Sequence, residues 1–437
     1  MVEMGFCEVE LEVPLFAELY GFGPFIGRRN QGILDPLHSR ALAMGDAGGR
    51  RTVLIVSEVV VTDDVMARSL RAEIAAENAI HPDGIMFGAI HTHCGPAVSL
   101  GIGWGEICPE FITNLRDGIK AAARGALLNL EPIVATCGRA PMSKIPGVNR
   151  VFENGPVDES IRWVEFMRPA DSSVKLLLYN HGMHGVSLGR LKLVSADWSG
   201  AVNRRVLERG LAENVMFVYG AAGNINTNPV GCGADPEQGR RQLQDIAVPF
   251  VADLEADLGN GRELNLEPIG HVLETVDLPV APMSADEMRR CVAVLREEVK
   301  NGAPFSDVTA FRADRLTEMA LLYDAKKLPA RVAPDLQVIR AGELAFYGFP
   351  GEPFIELGNR IMKESAYRFA LCSTVTNGNC RYFPTRETFE LYPEGMYSQN
   401  RGYGYYEIYQ GCGRYMPAYT ADIADFIVER FLSMRAI

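Results

Sequence analysis

The sequence has little positive charge, no cysteines in a CxxC spacing and no long apolar run. Lysine and arginine together number 43, against 55 aspartate and glutamate residues, so the formal net charge is −12. A negative surface repels phosphate backbones, which excludes nucleic acid as an expected partner. No apolar run approaches the roughly 18 residues that a membrane-spanning helix needs, so no membrane span is expected.

The cysteines and the first residues bear on the compartment. The nine cysteines are odd in number and unpaired in spacing, which argues against a disulfide framework and against a cysteine-rich zinc module. The N-terminal segment carries Glu3, Glu8, Glu10 and Glu12 and lacks the basic region and apolar core of a secretory signal. Together these features predict a cytoplasmic protein.

Short apolar, β-branched runs alternate with helical patterns along the whole chain. The runs are nearly continuous in hydrophobicity, as is typical of strands covered on both faces, and lie at 52–61, 85–90, 174–179, 215–219, 344–349 and 369–375. Helices are predicted from a capping box at Ser284 to Glu287 and at 111–128, 200–211, 308–326, 354–364 and 420–434.

This interleaving predicts the fold class α/β, as a layered α/β sandwich with largely buried central sheets flanked by helices. No repeat and no Pro/Ser-rich linker marks a boundary, so a single catalytic domain over 1–437 is expected. The helical block 284–328 is either an integral part of that domain or an insertion that projects from it.

Only seven histidines are present, and two pairs of them follow strand patterns. His91 and His93 stand in HTHCGP, where alternate residues of an extended chain point to one side, and His181 and His184 follow the run 174–179. Because loops at the carboxyl ends of parallel strands share a crevice, we expect His184 to meet His91 there, and we assign His181 to a backbone carbonyl. Neutral imidazoles at this spacing suit zinc; the alternative is a hydrogen-bonded pair of strand-end histidines.

Three further polar loops also follow strand patterns. GAAGNIN at 220–226 places Asn224 and Asn226 on a glycine-rich backbone and lacks the spacing of a phosphate-binding loop. Glu352, in PGE, is either a first-turn helix carboxylate or part of a metal shell. The segment 377–387 is rich in polar groups. Each loop alone is ordinary.

Taken in order, these loops resemble the N-terminal catalytic domain of the neutral/alkaline, non-lysosomal ceramidase family. The similar segments are HTHCGP at 91–96, the asparagine-to-histidine stretch at 180–185 with SAD at 195–197, GAAGNIN at 220–226, PGE at 350–352 and YFPTRE at 382–387. GILDPLHSRALA at 32–43 is similar to the family's opening, so the resemblance extends from about residue 8 to residue 434.

The resemblance implies a Zn²⁺ ion held by two histidines, a carboxylate and a phenol, namely His91, His184, Glu352 and Tyr382. It makes His93 the candidate proton shuttle and Arg150 the group that stabilises the substrate oxyanion. Asn226 or Asn224 would position the substrate, and Asp197 would orient a ligand histidine. The alternatives are a core tyrosine at Tyr382 and a surface ion pair at Arg150.

The chain also departs from the family. The family's serine and aspartate positions in GDVSPN fall on Asn226 and Asn224, so water activated by the metal remains as the nucleophile and a serine route does not. Cys94 replaces the serine of the histidine motif, but no base is assignable to it. We expect the C-terminal β-sandwich domain of the secreted members to be missing. The glycine-rich loop 97–109 is expected to form a wall or lid of the pocket; the alternative is packed core.

The sequence therefore predicts a zinc-dependent hydrolase that cleaves an amide (N-acyl) bond in a small, soluble substrate, with ceramide itself less expected. One alternative is a metal-dependent esterase or lyase acting on a polyol or sugar derivative. Another is a non-catalytic, ligand-binding descendant that lost catalysis with the serine. The tyrosines near the C-terminus line either the pocket or a subunit contact; they are Tyr403, Tyr405, Tyr406 and Tyr409.

Overall fold

The computed structural model describes residues 2–22, 27–99, 104–281, 284–302, 306–329, 331–398, 402–410 and 416–437. Its strands are β1 (Glu3–Leu11), β2 (Leu37–Gly45), β3 (Arg51–Ser57), β4 (Ile85–Ala89), β5 (Glu131–Pro132), β6 (Val134–Pro141), β7 (Gly147–Asn149), β8 (Ser160–Met167), β9 (Val174–His181), β10 (Val215–Tyr219), β11 (Ile225–Thr227), β12 (Arg262–Leu264), β13 (Ile269–Thr275), β14 (Asp335–Ala341), β15 (Leu344–Gly348), β16 (Glu352–Pro353), β17 (Phe369–Ser373) and β18 (Tyr382–Phe383).

Its α-helices are α1 (Asp64–Asn78), α2 (Pro109–Leu128), α3 (Asp197–Glu208), α4 (Pro236–Asp257), α5 (Ala285–Lys300), α6 (Ser306–Asp324), α7 (Ile355–Glu364), α8 (Arg386–Glu390) and α9 (Ile423–Ser433). Short 3₁₀ turns lie at Pro82–Gly84 and Gly395–Tyr397, and a π-helical turn lies at Tyr406–Gln410. No described helix is both long and apolar enough to cross a bilayer.

Three mixed sheets form the centre of the molecule. Their strand orders are β4-β3-β2-β1-β5, β10-β9-β8-β6-β12 and β13-β14-β15-β17. Each sheet contains one parallel pair among antiparallel neighbours: β3 with β4, β9 with β10, and β15 with β17. Strand β10 contacts both β4 and β17, so the three parallel pairs lie side by side. Their carboxyl ends therefore gather in one region, as parallel α/β units favour.

Helices cover these sheets, which confirms the expected layered α/β fold. Helix α2 buries Phe111, Leu115 and Ile119 on one face at helical spacing and packs on β1 and β2. Helix α3 packs on β10 and on α4, and α7 packs on β17 and on α9. The sheets are thus buried between helical layers, which positions their strand ends rigidly.

Helices α5 and α6 form a hairpin with small apolar clusters of their own. The capping box predicted at the start of α5 is present, because the Ser284 hydroxyl accepts from the Glu287 backbone N–H and the Glu287 carboxylate accepts from that of Ser284. Cys291 and Leu295 pack with Met396 and Tyr397, which precede the π-helical turn. The hairpin therefore supports the tyrosine-rich segment that reaches the site described below.

Core packing predicts the first stability effect. Phe217, in β10, is 1% exposed, and its ring centroid lies 5.0 Å from that of Tyr179 and 4.9 Å from that of Trp198. Replacing a buried phenylalanine by alanine typically costs about 3–5 kcal/mol. We expect Phe217→Ala to lower the free energy of unfolding by that amount, and the exposed Val65→Ala to change it by less than about 0.5 kcal/mol, in urea unfolding followed by circular dichroism. Equal losses in the two variants would contradict the core position of Phe217.

Candidate metal centre

The polar loops that the sequence singles out lie together at the carboxyl ends of the three parallel strand pairs. His91 and His93 follow β4, and His184 follows β9. Glu352 follows β15, and Tyr382 follows β17 and pairs with Glu352 in the short parallel ladder β16–β18. Residues remote in sequence thus meet because their strands end at one edge.

Backbone hydrogen bonds connect these loops to one another in series. The donors and acceptors are His93 N to Gly185 O at 3.0 Å, His184 N to Ile225 O at 3.0 Å, Gly223 N to Pro353 O at 2.8 Å, and Glu352 N to Arg381 O at 3.0 Å. Each loop is therefore held by the next one, and the side chains between them are pre-positioned without relying on their own contacts.

Two glycines allow this close approach. A Cβ atom at Gly185 would lie 2.8 Å from the His91 carbonyl oxygen, and one at Gly223 would lie 2.5 Å from the Glu352 carbonyl oxygen. Both distances are shorter than van der Waals contact, so any side chain would push a candidate ligand residue away. This explains why glycine stands at these two loop positions.

His91, His184 and Glu352 converge on one point. The Oε2 atom of Glu352 lies 3.3 Å from His91 Nε2 and 3.2 Å from His184 Nε2, and all three residues are at most 4% exposed. Neither His184 Nε2 nor Glu352 Oε2 has a hydrogen-bond partner in the described part of the chain. Buried polar atoms are rarely left without a partner. These two atoms therefore indicate a bound cation that accepts their lone pairs.

Backbone carbonyl groups lie within hydrogen-bond distance of the Nδ1 atoms of His91 and His184 and hold the ring proton there, on the nitrogen that does not face Glu352. His91 Nδ1 lies 2.7 Å from Val60 O, and His184 Nδ1 lies 2.9 Å from Ile225 O. A ring that donates from Nδ1 presents the lone pair of Nε2, which is the arrangement of metal-binding histidines. Burial and the nearby Arg150 also lower the pKa of His184 to about 4, so its ring is neutral at neutral pH.

The spacing of these atoms fits zinc. Tetrahedral bonds of 2.0–2.1 Å, typical for nitrogen and oxygen ligands of zinc, place neighbouring ligand atoms about 3.3 Å apart. The observed separations of 3.2 and 3.3 Å match that value. Burial raises the pKa of Glu352, and positive charge on the neighbouring His91 or His184 holds that pKa well below its usual range. The donor set is therefore suited to a divalent cation.

His93 stands beside this set but differs from it. Its Nε2 atom lies 3.3 Å from His91 Nε2, and the ligating atoms of the three histidines all lie within 4.8 Å of one another. Its Nδ1 atom has no hydrogen-bond partner in the ranges that the structure describes, so no acceptor fixes its tautomer. Burial and the two other histidines lower its pKa well below the usual value. His93 is thus a buried, neutral imidazole beside the candidate ligands.

Tyr382 and Arg150 lie together on another side of the site. The Arg150 guanidinium carbon is 5.3 Å from the Tyr382 ring centroid and 4.9 Å from that of Tyr403. Burial raises the pKa of Tyr382 well above its usual value, and Glu352 adds to the effect. The phenol is therefore neutral unless a cation such as a metal ion approaches it. Arg150 is buried and ion-paired with Glu407 at 2.7 Å, which rules out the alternative of a surface ion pair.

Asn226 and Asn224 form hydrogen bonds with other residues of the protein. The Asn226 Oδ1 atom accepts from Arg150 Nη1 at 3.0 Å, so Asn226 holds the guanidinium. The Asn224 amide donates to Glu356 at 2.9 Å and accepts from the Ile355 backbone N–H at 2.9 Å, and its side chain is fully buried. Both polar atoms of the Asn224 side chain thus hold the start of α7.

Asp197, which the sequence analysis expects to orient a ligand histidine, binds backbone N–H groups in the structure. Its carboxylate accepts from the backbone N–H groups of Ser187 at 3.1 Å, Leu188 at 3.1 Å and Trp198 at 2.7 Å. The second polar atom of each ligand ring is already taken by a carbonyl group, as described above. Asp197 instead shapes the loop that follows His184.

Two other residues behave as structural groups. His181 Nδ1 lies 3.2 Å from Ser160 O, which confirms its assignment to a backbone carbonyl. The Cys94 thiol is fully buried, and burial raises its pKa, so the reactive thiolate form is disfavoured. Cys94 is therefore unsuited to act as a nucleophile.

A cavity lies over the histidines. Its wall is mainly aromatic and aliphatic with a few polar groups, and its lining consists of Tyr20, Val60, Val61, His91, His93, Trp104, Glu352, Asn379, Tyr382 and Tyr406. Trp104 belongs to the loop expected to form a wall or lid; residues 100–103 of that loop lie outside the described residues. Among the C-terminal tyrosines, Tyr406 lines the cavity and Tyr403 packs on Arg150. Tyr405 and Tyr409 pack against each other.

Glu407 is a site residue that the sequence interpretation missed. It is 1% exposed and contacts Arg150, although it stands 25 positions after Tyr382 in a segment without a recognisable motif. The cluster of tyrosines around it was the available signal, since buried aromatic segments often contribute to pockets.

The fold is shared with solved ceramidase structures. The neutral ceramidase from Pseudomonas aeruginosa superposes with a TM-score of 0.76 and 16% identity, over 99% of this chain and 74% of that one. A ceramidase complexed with C2 superposes with a TM-score of 0.70 and 15% identity, over the same shares of the two chains. No protein-family model and no curated protein sequence matches this chain. At these identities the likeness establishes a ceramidase-like fold.

Proposed function

We propose that this chain is a zinc-dependent hydrolase that cleaves an amide (N-acyl) bond in a small substrate. The observation that carries the proposal is the convergence of His91, His184 and Glu352 at separations of 3.2 and 3.3 Å, matching those of a tetrahedral zinc shell. The fold shared with two ceramidases supports an N-acyl bond as the target.

The proposed metal ligands are His91, His184, Glu352 and Tyr382. Zinc held there would supply Lewis acidity, lowering the pKa of a water molecule towards about 7 and polarising the substrate carbonyl. The two imidazole rings need no rearrangement for this, because carbonyl groups already hold them.

The neighbouring side chains supply the proton transfer and the positioning. His93 Nε2 takes the proton from the attacking water and delivers it to the leaving nitrogen, since its ring is neutral and lies beside the ligands. Arg150 donates a hydrogen bond to the substrate oxygen as negative charge develops on it. Asn226 has no nucleophilic atom and holds Arg150, so water is the nucleophile.

The experiment that tests this function combines metal analysis with product analysis. Protein purified without added metal is expected to contain about one zinc per chain and to release primary amine, in equal amount to acid, from N-acetyl and N-benzoyl amides. His81→Ala serves as the control for variants of the proposed ligand histidines, because His81 is exposed and does not belong to their cluster. Release of alcohol from matched esters, without release of amine from the amides, would show that the protein is an esterase and contradict the proposed amide cleavage. Zinc binding without turnover of either class would favour a ligand-binding descendant.

A further inference from the structure

The ion pair between Arg150 and Glu407 has no role in the steps proposed above. Arg150 Nη2 lies 2.7 Å from Glu407 Oε1, and the two side chains are 8% and 0% exposed. The other carboxylate oxygen of Glu407 accepts from the Gly404 backbone N–H. A buried guanidinium beside a metal centre is thus paired with a carboxylate inside the protein before any substrate arrives.

The carboxylate is held by the same turn that forms the cavity wall. Glu407 lies in the π-helical turn Tyr406–Gln410, directly after Tyr406, which lines the cavity and packs 5.7 Å from the Tyr382 ring. Such wide turns are rare and are often found at functional sites. The position of Glu407 is therefore coupled to the shape of the pocket.

The surroundings of Arg150 leave it little net charge to attract a substrate that carries a carboxylate. Nη1 donates to Asn226, Nη2 faces Glu407, and the rings of Tyr382 and Tyr403 lie against the guanidinium. Nε and Nη2 are both buried without a hydrogen-bond partner within the described residues, so Nη2 contacts Glu407 as an ion pair only. An arginine binds carboxylate or phosphate by offering a fork of N–H groups and an unpaired charge. Here Glu407 already cancels the charge, so the remaining N–H groups can donate to a substrate oxygen but offer an incoming carboxylate no unpaired positive charge.

We propose that Glu407 makes the pocket selective for neutral substrates by cancelling the charge of Arg150, so that substrates with a carboxylate near the scissile bond are rejected. A second carboxylate beside Glu407 in a buried site would meet like-charge repulsion, which is an effective way to exclude an unwanted ligand. This inference rests on the proposed function, because it assumes that ligands reach the metal centre.

The test uses two hydroxamates that bind zinc through the same group and differ only in their tails. The probes are 4-hydroxybutanohydroxamate, with a neutral hydroxyl end, and the monohydroxamate of succinic acid, with a carboxylate end. Binding to the zinc-loaded full chain is measured by titration calorimetry, so no turnover is needed. We expect the wild type to prefer the hydroxyl probe and Glu407→Gln to shift the ratio of dissociation constants towards the carboxylate probe by about tenfold or more.

Two further variants make the result specific. Glu356→Gln removes a buried carboxylate that accepts from Asn224 and is expected to keep the wild-type ratio. Arg150→Met combined with Glu407→Gln leaves no unpaired charge and is expected to give a ratio between those of the wild type and Glu407→Gln, which keeps the test valid if the single variant does not fold.

Zinc content is measured in every variant. A wild-type ratio in both Glu407→Gln and the double variant, with zinc bound, would overturn the inference and leave the proposed function standing. Absence of zinc from the wild type, or failure of both probes to bind, would instead overturn the proposed function and this inference with it.

Discussion

Replacing His184 by alanine is expected to remove zinc from the protein and abolish hydrolysis. His184 Nε2 lies 3.2 Å from Glu352 Oε2, and its loss leaves a buried, charged carboxylate facing an incomplete set of ligands. Loss of a group that merely supports a ligand costs 10–100-fold in metal affinity, so we expect loss of a ligand to cost about 100-fold or more. Mass spectrometry of bound metal and competition with a chromophoric chelator measure this effect.

The control for this prediction is a histidine that lies outside the cluster. His81 is 60% exposed, and His81→Ala is expected to retain one zinc per chain with the wild-type affinity. Circular dichroism and thermal melting establish that His184→Ala remains folded. If folded His184→Ala retains zinc with the wild-type affinity, the metal binds at another site and this prediction is contradicted.

The sequence was sufficient to locate the strands that carry the site. The run 215–219 coincides with β10, and 85–90, 174–179, 344–349 and 369–375 agree with strands to within two residues. These strands belong to the parallel pairs at the centre, where both faces are buried and apolar residues are continuous. The same burial that makes them recognisable also brings their loops together, which is why strand-end reasoning placed His91, His184 and Glu352 correctly in one place.

Elements with one exposed face or an interrupted pattern were not recognised. Strand β1 reads EMGFCEVEL, in which Glu8 and Glu10 alternate with partly or fully buried residues, and it lies away from the parallel pairs. Helix α4 contains Gly239 and Pro249, both of which weaken a helical pattern. The antiparallel strands that complete each sheet have no continuous apolar run, so the sequence did not predict them. The sequence therefore did not show that the sheets contain both parallel and antiparallel pairs.

Side-chain roles were harder to predict than positions. Asp197 and Asn224 are near the site in sequence order, but their polar atoms are used by backbone N–H groups and by Glu356. The partner of Arg150 is remote in sequence, since Glu407 lies in the π-helical turn, and the segment before that turn packs on the α5–α6 hairpin. Such pairings depend on tertiary packing and leave no local signature.

Replacing His93 by glutamine is expected to lower kcat/KM by about 10²–10⁴-fold while the zinc content stays near one per chain. His93 Nε2 contacts His91 Nε2 at 3.3 Å, but its Nδ1 atom has no acceptor in the described ranges that would fix it as a ligand. Glutamine keeps a polar side chain of similar length and lacks a titratable group. The variant therefore removes the proton carrier and leaves the metal ligands in place.

The pH profile separates this role from metal binding. Burial and the neighbouring His91 and His184 lower the pKa of His93 well below its usual value, so the ring is unprotonated at any pH above that lowered pKa. The acid limb of kcat/KM in the wild type is accordingly expected below pH 6.5, the ordinary histidine value, and it should disappear in His93→Gln. A loss of zinc in parallel with activity would contradict this assignment and make His93 a third histidine ligand, which the mutual distances of the three rings also permit.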